Sequence, residues 1–226
     1  MKKQSWILLF AVVLIANIAG GLLKNHLIDY VSKPLIVPSL AGYFLSQTGK
    51  TLSPLKKWLV LALFFSWAGD ILLMFQPKSS IFFLFGLSAF LIAHISYIIF
   101  FHQVRIKENV KGNAWLLLIV VIYYAALITF LSPYLGDMKL PVRIYGIVIS
   151  FMFMLAMHML FIKNKRAGQW MMVGALLFVI SDSTLAINKF YQSFEIAGVV
   201  IMLTYGMAQL FIVEGANRYI NFDRKE

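Results

Sequence analysis

Apolar residues fill this chain in blocks of about twenty, the length a helix needs to cross the ~30 Å hydrocarbon core of a bilayer. Short polar stretches such as QPKSS (76–80) and KNKRAGQ (163–169) separate the blocks. The two-residue alternation of a membrane barrel is absent, so the spans read as helices, which satisfy their own backbone groups in lipid. The pattern predicts eight of them, at approximately 5–23, 28–48, 56–75, 80–102, 114–133, 140–162, 168–189 and 194–217. The second is the least regular, because Lys33, Pro34 and Pro38 disturb its first half. No connection is long enough to part domains. The expectation is an all-α polytopic membrane protein whose residues 1–226 form a single transmembrane domain.

Composition agrees. The chain is 61% hydrophobic and 13% charged, about half the charge of an ordinary soluble domain. It has no cysteine, which excludes disulfides, thiolate metal sites and cysteine nucleophiles. A net charge of +11 in so apolar a chain points to a basic rim facing lipid headgroups rather than to nucleic acid. The N-terminal block has the look of a secretory signal, but further spans follow it, so it reads as a retained first helix.

Lysine and arginine placement then gives an orientation. Lys2, Lys3, Lys50, Lys56, Lys57, Arg105, Lys107, Lys111, Lys163, Lys165, Arg166, Arg218, Arg224 and Lys225 fall on one side of an eight-helix arrangement. Only Lys24, Lys78, Lys139, Arg143 and Lys189 fall on the other, with Lys33 inside helix two. Both termini are therefore expected in the cytoplasm. A faint internal repeat also runs through the chain. Asp70 and Asp182, Gly86 and Gly198, Leu73 and Leu185, and Gly69 and Ser181 are all 112 residues apart. This offset suggests two parallel four-helix repeats.

The chemistry concentrates on two aspartates inside apolar segments, Asp70 in FFSWAGDILLM and Asp182 in LFVISDSTLA. Each lies 14 residues beyond the expected start of its helix, about 20 Å along it. Lys33 falls in the same layer. An aspartate at mid-membrane costs about 2.5–3.5 kcal/mol on insertion scales. Interhelical hydrogen bonds return only about 0.6 kcal/mol on average, so helix adhesion alone is a weak reason for two of them. Two neighbouring carboxyls can share a proton, one acting as neutral acid and the other as anion. That pair suits cleavage of an acetal-like or enol-ether bond: the acid protonates the substrate, and the carboxylate steadies the cationic carbon and orients a water.

Other polar positions are candidates for substrate contact. His94 and Tyr97 share one helix face, as do Tyr205 and Gln209. Counting turns places them on the cytoplasmic side of the aspartates, with His94 on the order of 10 Å below. Ser66 is one turn from Asp70, but as a nucleophile it lacks a base at its level. Lys33 can snorkel, bind a lipid phosphate or pair with an aspartate, and Pro34 is expected to fix its helix start. Arg143 reads as an interfacial anchor, and the Met-rich FMFMLAMHML (151–160) as packing, lipid contact or a flexible acyl-chain pocket. The four histidines have no ligand spacing, so neither a metal nor a cofactor is expected.

KPLIVP (33–38), FSWAGDILLM (65–74), FLIAHISY (90–97), GALLFVISDSTLAINKF (174–190) and YGMAQLFI (205–212), in that order and spacing, resemble the YhhN-type lysoplasmalogenase family of integral membrane proteins. The resemblance implies hydrolysis of the vinyl-ether bond of lysoplasmenyl-ethanolamine or -choline to a fatty aldehyde and a glycerophospho-alcohol. It also implies Asp70 and Asp182 as catalytic residues, and a lysophospholipid substrate whose phosphate would meet Lys33. The residues themselves leave two other readings open. One is a proton-coupled transporter of a small molecule or lipid, favoured by the tandem repeat and the intramembrane acids. The other is a receptor or scaffold without turnover.

Overall fold

The computed structural model describes residues 3–49 and 53–223. Lys2, Lys50, Arg224 and Lys225, counted above for orientation, lie outside the described residues. Eight α-helices follow one another: α1 (Lys3–Leu22), α2 (His26–Thr48), α3 (Pro54–Met74), α4 (Ser80–Lys107), α5 (Ala114–Leu131), α6 (Lys139–His158), α7 (Lys165–Ala186) and α8 (Ala197–Asp223). The polar stretches between the apolar blocks supply the stop and start signals. Asn25, Ser53, Ser79, Asn113 and Asn164 each cap the helix that follows, accepting from a backbone N–H of its first turn. Pro54 occupies the first turn of α3, where no amide hydrogen is needed.

All but one of these helices are long and apolar enough to span a bilayer. The exception is α2, which carries Asp29, Ser32, Lys33, Ser39, Gln47 and Thr48 among its apolar residues. It packs against α1, α3 and α8 and buries Ile36, Leu40, Tyr43 and Phe44 completely, so lipid does not dictate its whole surface. Contrary to the expectation from the sequence, Pro34 does not start this helix. The Asn25 cap does, and Pro34 and Pro38 both lie inside it. Pro38 has no N–H for the carbonyl of Pro34 four residues before it. The indole N–H of Trp67 on α3 donates to that carbonyl instead, at 3.0 Å.

The helix bounds recur at the 112-residue offset. Shifted by that amount, α5, α6, α7 and α8 fall on α1, α2, α3 and α4, with starts within about five residues. Packing repeats too: α1 meets α2 as α5 meets α6, α3 meets α4 as α7 meets α8, and α2 meets α8 as α6 meets α4. The halves differ at their first helices. The first packs on α8, whereas α5 leans on α6 and turns most of its length outward, including Trp115, Leu117 and Ile122. Close helix pairs rest on small residues: a Cβ at Gly174 would stand 2.8 Å from the Ala208 carbonyl oxygen on α8.

Lys3 at the start of α1 lies 3.7 Å from Glu214 near the end of α8, and Lys107 pairs with Asp223 at 2.6 Å. The first and last helices thus begin and end on the same face of the bundle. The Met-rich stretch of α6 is packing: Met152, Met157 and Met159 are buried in the main apolar core. Arg143 is exposed and donates to Ser132 at 3.3 Å near the opposite end.

Candidate active site

Asp182 lies one turn before the end of α7 and Asp70 one turn before the end of α3. Both are held by side chains from other helices. The Asp182 Oδ2 atom accepts a hydrogen bond from the Tyr145 hydroxyl on α6 and lies 3.2 Å from His94 Nε2 on α4. Tyr145 is in turn 2.8 Å from the same nitrogen. Since the tyrosine proton goes to the carboxylate, its oxygen accepts from His94, which makes Nε2 the protonated nitrogen. The other nitrogen, Nδ1, is buried with no partner, so a second proton there would be unsatisfied. His94 thus closes a three-membered cluster with Tyr145 and Asp182.

Counting turns put His94 about 10 Å below the aspartates; the structure corrects this to hydrogen-bond distance. The count assumed helices ending in one plane. In fact α4 runs about five residues past its expected end, to Lys107, which raises His94 relative to that end, and α7 closes on a π-helical turn, Ile187–Tyr191. The imidazole spans the remainder. Such π turns are common beside functional sites, and this one brings Phe190 over the site, 5.8 Å from the Phe83 ring.

Asp70 is 3% exposed. Its Oδ2 accepts from the Tyr205 hydroxyl on α8 at 2.7 Å. Lys33 on α2 and Asp182 both lie within its electrostatic reach, as their shared layer in the sequence anticipates. Phe178, one turn before Asp182, packs edge-on between the two centres: its ring is 4.7 Å from His94 and 5.5 Å from Tyr205.

Ser66, Tyr97 and Gln209 come together, but with one another rather than with the carboxylates. Gln209 donates to Ser66 Oγ at 2.9 Å and accepts from the Tyr97 hydroxyl at 2.5 Å. All three are completely buried and line neither of the cavities described next, so they brace α3, α4 and α8 beneath the acids. Tyr145 and Phe178 were not singled out in the sequence. A tyrosine or phenylalanine in an apolar helix gives no signal of its own, although Tyr145 stands 112 residues after Lys33.

Two cavities lie at this level of the bundle, and of the two acids only Asp182 lines one of them. A narrow one of about 40 Å³ is lined by Asp182, Tyr145, Phe83, Leu87, Phe90 and Leu185, among others. A wide one of about 690 Å³ opens between α1, α2 and the ends of α3 and α8, with Asn17, Asp29, Lys33, Gln76 and Glu195 in its wall. Leu73, one turn beyond Asp70, borders both. Among the described residues, no three histidine or acidic side chains gather where a metal ion would sit.

Residues 28–216 match the YhhN family. A protein called lysoplasmalogenase from Mycobacterium bovis is 31% identical over 163 residues, covering 71% of this chain and 60% of the relative. Human lysoplasmalogenase TMEM86B is 34% identical over 137 residues, 59% of this chain and 53% of its own. Bovine lysoplasmalogenase TMEM86A is 31% identical over 161 residues, 69% and 63% respectively. The chain thus spans little more than half to three-fifths of the length of these relatives. No solved structure matches it.

Proposed function

Since the chain belongs to the YhhN family, we propose that it is a membrane hydrolase that cleaves the vinyl-ether bond of a lysoplasmalogen, releasing a fatty aldehyde and a glycerophospho-alcohol. The observation that carries this reading is the pair of aspartates on α3 and α7, each held by a tyrosine from another helix, with Asp182 in the wall of an apolar cavity. The names of the relatives support it.

A vinyl ether is hydrolysed by proton addition to the carbon β to oxygen, which leaves an oxocarbenium ion. Water adds to the α-carbon and gives up a proton, and the hemiacetal falls apart to an aldehyde and the glycerol hydroxyl. Two carboxyl groups cover both needs. Asp182, on whose Oδ2 the Tyr145 hydroxyl and His94 converge, serves as the carboxylate that steadies the cation and receives the water's proton. Asp70, with one hydroxyl donor, supplies the proton to carbon. Phe83, Leu87 and Phe90 keep the apolar chain against Asp182 and exclude bulk water. Lys33 meets the phosphate from the wide cavity. Ser66, Tyr97 and Gln209 position the helices that carry the acids. The basic end of the bundle, with both chain termini, faces the cytoplasm.

The test is aldehyde release by the purified protein from lysoplasmenyl-ethanolamine. Release by wild type, reduced by Asp70→Asn and by Asp182→Asn, is expected. No release by wild type, or undiminished release by both variants, would overturn the reading.

A further inference from the structure

Asp29 and Lys33 of α2 are four residues apart with the acid first, the spacing at which side chains pair along a helix surface. Among the described residues they do not pair with each other or with any other charged group. Each is drawn elsewhere. The Asp29 Oδ1 atom accepts from Asn17 Nδ2 on α1 at 3.2 Å, and the same nitrogen lies 3.1 Å from Ser32 Oγ. Gly20 leaves room for this: a Cβ there would stand 3.1 Å from Oδ1. Lys33 lies within reach of the Asp70 charge. Both therefore line the wide cavity as separate, opposite charges, with Glu195 and Lys24 also in its wall.

We propose that this cavity is the headgroup subsite for a zwitterionic lysolipid, with Asp29 and Glu195 receiving the ammonium group and Lys33 the phosphate. The ligand's chain and direction rest on the hydrolase reading above; the charge pattern does not. One helical turn, about 5–6 Å between Cβ atoms, matches the two-carbon bridge of an amino-alcohol phosphate. At 690 Å³ the cavity is of the size that holds a small organic ligand. Leu73 also borders the narrow cavity that holds Asp182, so the two spaces share a wall. An acid in the first turn also suits the helix dipole, but that preference does not depend on which way the carboxylate turns. Asn17, itself 3% exposed, holds it toward the cavity. A headgroup carrying only negative charge would leave Asp29 facing a like charge.

Binding of two saturated-ether lysolipids, which cannot be hydrolysed as vinyl ethers, tests this by native mass spectrometry of the detergent-solubilised protein. One probe carries phosphoethanolamine and the other phosphoglycerol on the same chain. Wild type is expected to bind the first about tenfold more tightly, which corresponds to about 1.4 kcal/mol. Asp29→Asn, which keeps an acceptor for Asn17, is expected to bring the two within about twofold. Lys33→Gln is expected to weaken both by a similar factor, about tenfold for one charge-assisted bond. Should Asp29→Asn lower the melting temperature, Glu195→Gln in the exposed segment before α8 is the second variant, expected to reduce the preference by about threefold. Equal affinity of wild type for both probes, or a preference that survives both acid substitutions, overturns the proposal. Aldehyde release separates the two failures: turnover without headgroup preference removes the subsite alone, and preference without turnover removes the hydrolase reading alone.

Discussion

The two cavities are the same place in the two halves of the chain, furnished differently. Tyr30, Lys33, Leu73, Met74, Val199 and Met202 border the wide one. The residues 112 positions away, Val142, Tyr145, Leu185, Ala186, Leu87 and Phe90, border the narrow one. Even the hydrogen bonds cross between halves in matching fashion, Asp70 on α3 to α8 and Asp182 on α7 to α4. Where one half has Lys33, the other has Tyr145. The lysine brings a charge with its hydration and a polar opening. The tyrosine brings a hydroxyl that can bind the carboxylate on an apolar ring and needs no water around it. A duplicated frame thus offers a wide polar chamber and a narrow, mostly apolar one that share a wall at Leu73.

The largest test of this difference is at the acids. Asp182→Asn and Asp70→Asn are each expected to reduce aldehyde release by about 10²–10⁴-fold, the range for loss of a general acid or base. Because the two act as a unit, the double variant should fall little below the worse single one. A single dispensable aspartate would break the pairing. Next come their holders. Tyr145→Phe removes a hydrogen bond to a charged carboxylate, about 1.5–3 kcal/mol, and Tyr205→Phe one to a neutral acid, about 0.5–1.5 kcal/mol. In kcat the first should therefore lose about 10–100-fold and the second about 2–10-fold. A reversed order would exchange the roles of the two aspartates.

The smallest effect concerns matched glycines. A Cβ at Gly86 would stand 2.7 Å from Leu73 Cδ2, in the wall between the cavities, whereas at Gly198 it would meet nothing within 4 Å. Gly86→Ala is expected to destabilise by about 1–3 kcal/mol. Gly198→Ala should be neutral or stabilising by up to about 1 kcal/mol. Thermal unfolding in detergent reads both, and equal shifts would show that the wall at Leu73 is loose.

Much of the fold was legible because lipid imposes a single demand on every span. Apolar length marked the helices and placed their starts to within about three residues. The two aspartates stood out because a charge in such a segment is costly. Tyr145 and Phe178 did not, because an aromatic ring on an apolar helix has the same appearance whether it packs, faces lipid or holds a carboxylate. The depth of His94 was misjudged because α4 runs on to Lys107, past the end of its apolar block, and because counting turns cannot show how far a side chain reaches across to the next helix. Ser66, Tyr97 and Gln209 were recognised as a polar set, but their turning to one another rather than to the acids depends on helix rotation.

The sequence by itself determined the eight helices, seven of them long and apolar enough to span a bilayer, the 112-residue repeat and the two aspartates at matching places in α3 and α7, since hydrophobic length and insertion cost act on each segment independently. Tertiary structure decided which side chains hold each acid, that Asp29 and Lys33 stay apart, and that one cavity is wide and the other narrow. Those outcomes depend on how neighbouring helices rotate and where small residues let them approach, and no helix carries that information alone.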